Sequence, residues 1–155
     1  MRTQVTKRME FCYAHYLPRY KGKCGQVHGH NAVLEVTVEE TEHASKRPFY
    51  YSSLEDKKLY DAYGRYKGFV MDFGELKHIV QEEIISLLDH QFLNVLFDEN
   101  NLSEKKHPIP TCESLGERIF AILERAIYEE THGTVRLAKI RLTETPNSWV
   151  EVTCD

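Results

Sequence analysis

Three histidines and a cysteine near the start of the chain are the side chains best suited to bind a transition metal. Cys24, His28 and His30 lie within the short stretch "CGQVHGH", and His15 precedes them. Imidazole nitrogens and thiolates are the usual ligands of zinc. Residues i and i+2 of a strand project to the same side roughly 6.5–7 Å apart, so two of these imidazoles can converge on one ion. We therefore predict a metal site of His15, His28 and His30.

The role of Cys24 at this site has two alternatives. As a fourth ligand, its thiolate would close the site and make the metal structural. Outside the ligand set, it would leave one metal position open for a substrate, and a thiol beside a cation can act as a base or nucleophile. The residues alone leave both alternatives open.

Two strands must carry the histidines. Alternate positions of "VTKRMEFCYAH" are mostly apolar or aromatic, which is the period of a β-strand. The same alternation runs through "HGHNAVLEVTVEE". The residues that share the buried faces are Val5, Met9, Phe11, Tyr13 and His15 in the first strand, and His28, His30, Ala32, Leu34, Val36 and Val38 in the second. The three histidines thus extend the buried faces of neighbouring strands.

Two amphipathic helices follow. Asp72 and Glu75 resemble a capping box at the start of the first helix, and Thr111 is the predicted N-cap of the second, with Glu113 in its first turn. Gly133 should end the second helix. The apolar stripes are Phe73, Leu76, Ile79, Val80, Ile84, Leu87 and Leu88 in the first helix, and Leu115, Ile119, Ile122, Leu123, Ala126 and Ile127 in the second.

Two further strands close the chain, in "VRLAKIRLTE" and "SWVEVTC". Ala138, Ile140 and Leu142 should share one face of the first, and continuing that alternation places Glu144 on the apolar side. In the second, the shared face holds Val150, Val152 and Cys154. The order ββααββ predicts an α+β fold with a four-stranded antiparallel sheet and both helices on one face. The face without helices suggests packing between subunits.

Length and composition define the general class of the protein. A chain of 155 residues is expected to form one domain, residues 1–155. The net charge of −4 gives no basic surface for nucleic acid. The charged N-terminus and the lack of about 20 consecutive apolar residues predict a cytoplasmic protein without a membrane span. The four cysteines are expected to be free thiols.

Several separated motifs together carry a family resemblance. They are, in order, "FCYAHYLP", "KCGQVHGHN", "GFVMDFGELK", "LDHQFLN", "PTCESL" and "LTETP". In this series the chain resembles the 6-pyruvoyl tetrahydropterin synthase and 6-carboxytetrahydropterin synthase family. The resemblance implies the T-fold, a bound zinc ion, and 7,8-dihydroneopterin triphosphate as the pterin substrate. It also implies a homo-oligomer, usually a hexamer, with pterin sites between subunits.

The resemblance also assigns roles to residues. It implies His15, His28 and His30 as zinc ligands, which makes the site open, with Cys24 as the catalytic cysteine beside it. Asp89 and His90 match the remaining catalytic pair, although the residues alone favour a helix C-terminus, where the dipole stabilises a cationic histidine.

Three further residues match substrate-binding positions of the family. Glu144 matches the residue that anchors the pterin, although a glutamate at a strand end is often simply exposed. A carboxylate can accept two parallel N–H bonds from a pterin. Thr111 and Glu113 match another family motif, but helix capping is a sufficient explanation for both.

The spacing of Cys24 and the HGH motif selects within the family. Three residues between them resemble the 6-carboxytetrahydropterin synthases of queuosine biosynthesis, which release triphosphate and acetaldehyde. The alternatives are the 6-pyruvoyl tetrahydropterin synthase reaction of biopterin synthesis, in which the carbons stay, and a noncatalytic zinc-stabilised pterin-binding protein. The tyrosine-rich segment 41–66 departs from compact family members. It is interpreted as an inserted surface loop or, alternatively, as a subunit contact or a cover for the pterin.

Overall fold

The structure is a computed structural model that describes residues 2–42, 70–99 and 109–154. The strands are β1 (Gln4–His15), β2 (His28–Glu40), β3 (Gln91–Phe92), β4 (Val135–Thr145) and β5 (Ser148–Thr153). Helix α1 consists of the consecutive segments Phe73–Val80, Gln81–Ile85, which is π-helical, and Ser86–Leu88. It is followed by α2 (Leu93–Glu99) and α3 (Cys112–Glu130), and a 3₁₀ turn, Lys23–Gly25, precedes β2.

Within the described residues, the sheet has five strands in the order β3-β1-β2-β4-β5. The prediction of four antiparallel strands and two helices is therefore corrected to a mixed sheet with three helices. The four predicted strands are present and antiparallel, whereas β3 pairs in parallel with Tyr13 and Ala14 of β1. A strand of two residues is too short to produce an alternating pattern, so it could not be recognised in the sequence.

The core lies between one face of the sheet and the helices. The predicted inward residues of β2 from Ala32 to Val38 are fully buried, and so is most of the stripe of α3. Burying a leucine or valine side chain stabilises a fold by roughly 1.5–3 kcal/mol. Both predicted caps are confirmed, because Asp72 accepts hydrogen bonds from the backbone of Gly74 and Glu75, and Thr111 from that of Ser114.

Two members of the predicted α1 stripe are not in the core. Phe73 is 53% exposed and Leu87 is 55% exposed. Phe73 is the first residue of the helix, and Leu87 follows the π-helical segment Gln81–Ile85. A π-helical turn contains more residues than an α-helical one, so it changes the helix face on which later residues lie.

Strand β4 also departs from a simple alternation. Between its pairs with β2, Thr37 with Lys139 and Val38 with Leu137, the register shifts. A β-bulge of this kind moves the inward face by one residue. Ala138, predicted to face inward, is consequently only partly buried, while Leu137 lies in the core with Ile140 and Leu142.

The predicted insertion 41–66 lies almost entirely outside the described residues, and the single-domain boundary 1–155 stays a prediction. In the ranges that the structure describes, no helix combines the length and apolar character required to cross a membrane.

Candidate metal site

The antiparallel register of β1 and β2 brings the three histidines together. His15 pairs directly with His28, and Tyr13 pairs with His30. Opposed residues in an antiparallel pair share a face of the sheet, and so do residues two apart on one strand. A slip of one residue in this pairing would turn the side chains of β2 to the other face. The same register that buries the core therefore creates the histidine cluster.

The imidazole rings converge on one point. One nitrogen from each of His15, His28 and His30 lies within 4.8 Å of the others, and the Nε2 atoms of His15 and His28 are 3.1 Å apart. Two nitrogens bound to a tetrahedral zinc ion are about 3.3 Å apart, since each zinc–nitrogen bond is about 2.0–2.1 Å. The spacing within the cluster thus fits a common metal ion.

Backbone carbonyl groups determine which nitrogens face the centre. His15 Nδ1 donates to the Pro110 carbonyl at 2.7 Å, and His28 Nδ1 donates to the Gln26 carbonyl at 2.7 Å. A carbonyl oxygen only accepts, so in the neutral rings each Nε2 carries a lone pair. Two lone pairs this close repel each other, and a cation between them removes the repulsion. Among the described residues, the buried His30 Nε2 has no hydrogen-bond partner, which also suits a metal ligand.

Burial favours the neutral form of the His15 and His30 rings. Removal from solvent lowers the pKa of His15 below its ordinary value, against the opposing effects of the Pro110 carbonyl and Glu144. Removal from solvent also lowers the pKa of His30, again against Glu144. Neutral imidazole is the form that binds a metal. At neutral pH, the lowered pKa values of His15 and His30 therefore leave both rings in the form that can bind a cation.

Glu144 lies at the edge of the histidine cluster, on the core side of the sheet, as its predicted parity requires. It occupies a second irregularity of β4, where the pairing with β5 shifts between Thr143 and Thr145. Its Oε1 atom is 3.7 Å from His15 Nε2 and 3.6 Å from His30 Nε2. The Tyr13 hydroxyl donates to the same oxygen at 3.0 Å. Burial and the nearby Glu144 carboxylate raise the pKa of Tyr13, which keeps the hydroxyl protonated and donating.

The thiol of Cys24 does not belong to the histidine cluster, as far as the described residues extend. Cys24 is exposed within the 3₁₀ turn, and its carbonyl accepts a hydrogen bond from Leu17 N at 2.8 Å. Gly25 is required for this turn, because a Cβ there would lie 2.1 Å from the Tyr20 carbonyl oxygen. The arrangement favours the open site over one closed by Cys24.

The predicted catalytic pair lies beside a different cysteine. Asp89 Oδ2 and His90 Nδ1 are 3.0 Å apart, and both side chains lie close to the Cys12 thiol. Asp89 Oδ1 accepts from Cys12 N at 2.9 Å, and this bond, with the His90 imidazole, lowers the pKa of Asp89. Successive side chains of a strand face opposite sides, so Cys12 points away from the side that carries Tyr13. No contact within the described ranges joins Cys24 to Asp89 or His90.

Thr111 and Glu113 occupy the start of α3, where both have the predicted capping positions. Their neighbour Pro110 holds His15 through its carbonyl oxygen. Cys112 is a poor base, because burial, together with the carboxylates of Glu144 and Glu113, raises its pKa to about 12. The motif "PTCESL" thus stabilises the histidine cluster through the hydrogen bond between the Pro110 carbonyl and His15.

Sequence reasoning missed three contributors to this site. Pro110 acts through a backbone carbonyl, which any residue possesses. The Asn94 side chain exchanges two hydrogen bonds of 2.9 Å with the backbone of Tyr16, the residue after His15. Tyr13 was predicted only as a core residue. Its strand position opposite His30 is the signal that could have indicated a hydroxyl near the histidine cluster.

Comparison with known proteins places the chain in a family. The chain is 29% identical to 6-carboxy-5,6,7,8-tetrahydropterin synthase of Haemophilus influenzae over 159 aligned positions, covering 96% of each chain. It is 34% identical to the enzyme of the same name from Synechocystis sp., covering 79% of this chain and 75% of that one.

The fold has solved counterparts. The structure of Caenorhabditis elegans 6-pyruvoyl tetrahydropterin synthase aligns with a TM-score of 0.67 at 18% identity, covering 100% of this chain and 97% of that one. The T-fold that the sequence motifs imply is thereby confirmed. The sequence model described as 6-pyruvoyl tetrahydropterin synthase matches residues 4–155. The match spans both histidine strands and every motif quoted above, and the chain belongs to the 6-pyruvoyl tetrahydropterin synthase family of enzymes.

Proposed function

We propose that the protein is a zinc-dependent lyase, a 6-carboxytetrahydropterin synthase. It would convert 7,8-dihydroneopterin triphosphate and one water molecule to 6-carboxytetrahydropterin, triphosphate and acetaldehyde, in the queuosine pathway. The observation that carries this proposal is the convergence of the His15, His28 and His30 nitrogens. The names of the Haemophilus influenzae and Synechocystis sp. relatives and the Cys24–His28 spacing support the carboxy-forming reaction.

In this proposal the three histidines hold the metal, and each surrounding group has a separate task. Bound zinc supplies Lewis acidity, which acidifies the groups it contacts. The carbonyls of Pro110 and Gln26 keep His15 and His28 oriented through their Nδ1 atoms. Such outer hydrogen bonds typically change metal affinity about 10- to 100-fold.

The proton-transfer groups are Cys24 as general base and His90 as proton carrier. Asp89 would orient the His90 imidazole through the 3.0 Å contact between Asp89 Oδ2 and His90 Nδ1. Within one chain, Asp89 and His90 lie beside Cys12 rather than Cys24. We therefore propose that a second copy of the chain brings its Asp89 and His90 to Cys24. A homo-oligomer, a hexamer by family resemblance, would provide that arrangement in the cytoplasm.

Substrate recognition falls to Glu144. Its carboxylate would accept N–H bonds from the pterin 2-amino group and the adjacent ring nitrogen. Thr111 and Glu113 are proposed as further contacts at the start of α3. The name of the matching family model supports the alternative reaction, 6-pyruvoyl tetrahydropterin synthesis.

A product assay tests the proposed reaction. Metal-loaded protein is incubated with 7,8-dihydroneopterin triphosphate, and the products are weighed by mass spectrometry, with chelator-treated protein as the control. We expect 6-carboxytetrahydropterin and one acetaldehyde per turnover, and neither from the control. A 6-pyruvoyl product would establish the alternative reaction. No turnover would contradict both and support a noncatalytic zinc-stabilised pterin-binding protein.

A further inference from the structure

We propose that Tyr13 is a positioning residue that holds Glu144 beside the metal site and prevents its carboxylate from becoming a metal ligand. The inference rests on the proposed binding of a metal by the three histidines. It assigns to the Tyr13 hydroxyl the task of keeping the fourth ligand position available to substrate.

The Tyr13 ring is held rigidly. It is 3% exposed and contacts the rings of His15 and His30 at centroid distances of 5.2 and 5.5 Å. Phe11 packs against it at 5.8 Å. A ring enclosed in this way fixes the position of its hydroxyl, which reaches Glu144 Oε1 at 3.0 Å.

Glu144 would otherwise be well placed to bind the metal. Its Oε1 atom is 3.6–3.7 Å from two of the ligand nitrogens. That distance is only a few tenths of an ångström longer than the roughly 3.3 Å between ligands on a tetrahedral zinc ion, and carboxylates are common zinc ligands. Of the three imidazoles, however, only His15 and His30 have such a contact with Glu144. The carboxylate thus stands to one side of the cluster.

The Tyr13 hydroxyl is the restraint on this carboxylate. Among the residues that the structure describes, it is the one group that donates a hydrogen bond to the Glu144 carboxylate. The hydrogen bond engages one lone pair of Oε1, the oxygen nearest the histidines, and leaves the other lone pairs of the carboxylate for N–H donors of a substrate. Without the hydroxyl, a small rotation would bring the carboxylate onto the metal and close the site.

The Tyr13→Phe variant tests this role, because it keeps the ring and removes only the hydroxyl. The wild type, Y13F, E144Q and the double variant are loaded with Co²⁺, whose visible spectrum reports its ligands. Tyr128→Phe, at an exposed tyrosine of α3, is the matched control. We expect Y13F to change the cobalt spectrum, to bind Co²⁺ about tenfold more tightly, and to raise KM for the substrate, as outer hydrogen bonds affect metal sites on this scale.

The double variant provides the decisive comparison. In Y13F/E144Q the spectrum and the affinity should return to those of E144Q, because no carboxylate remains to bind the metal. A merely structural role would instead weaken cobalt binding and lower the unfolding temperature of Y13F. Wild-type cobalt affinity and spectrum in Y13F, or tighter binding that persists in the double variant, would overturn the proposal. Failure of the wild type to bind cobalt would overturn the metal site itself.

Discussion

Replacing His30 with alanine will abolish stoichiometric zinc binding and lower turnover at least about a thousandfold, because a catalytic metal contributes several kcal/mol to the stabilisation of a transition state. His30 Nε2 is buried and has no hydrogen-bond partner within the described structure, which is the environment expected of a metal ligand. The measurements are metal content per chain and the initial rate of product formation.

Two further variants make this result specific. His78→Ala, at an exposed histidine of α1, should keep both zinc and activity. His30→Gln retains more of the side-chain volume, and it should lose zinc while unfolding near the wild-type temperature. Full zinc content and full activity in H30A would show that His30 is not a ligand.

Replacing Cys24 with alanine will leave zinc content unchanged and lower turnover by about 10²- to 10⁴-fold, which is the usual contribution of a general base. The thiol is exposed and lies outside the histidine cluster of the described structure, so its removal takes no ligand from the metal. Metal analysis and rate measurement on the same sample separate the two effects.

Cys154→Ala is the matched control, since Cys154 is also an exposed free thiol and has no predicted role. It should keep zinc and turnover. If C24A lost its zinc, Cys24 would be a ligand and the site closed. If C24A kept wild-type turnover, another group would have to be the base.

The parts of the fold that follow from periodicity were predictable. The alternation in β1 and β2 correctly indicated which residues face the core, and with them the side on which His15, His28 and His30 lie. Asp72 and Thr111 were recognisable because a helix start needs side-chain acceptors for its free N–H groups. These features depend on local sequence alone.

Features that depend on tertiary contacts were not predictable. Strand β3 is too short for a pattern, and it follows His90, which has a φ of 60°. The bulge at Ala138 arises from pairing with β2, and the exposure of Leu87 follows a π-helical segment. For a similar reason the sequence could identify Asp89 and His90 as candidates but could not reveal that they contact Cys12 rather than Cys24.

The candidate site shows the same division. The three histidines were identifiable from residue type and spacing. The hydrogen bond between the Tyr13 hydroxyl and the Glu144 carboxylate joins residues far apart in sequence. The Pro110 carbonyl belongs to the backbone, so no residue type indicates it. The sequence could therefore identify the histidines of the candidate metal site, while the hydrogen bonds that hold the surrounding groups required the structure.

X-ray absorption spectroscopy at the zinc edge of the zinc-loaded protein tests the central claim most directly, because it distinguishes nitrogen from sulfur ligands. Three imidazoles and an open site predict nitrogen scatterers at about 2.0–2.1 Å with the outer-shell pattern of histidine rings. A sulfur scatterer at about 2.3 Å would contradict that claim, since Cys24 or another cysteine would then occupy the position reserved for the substrate.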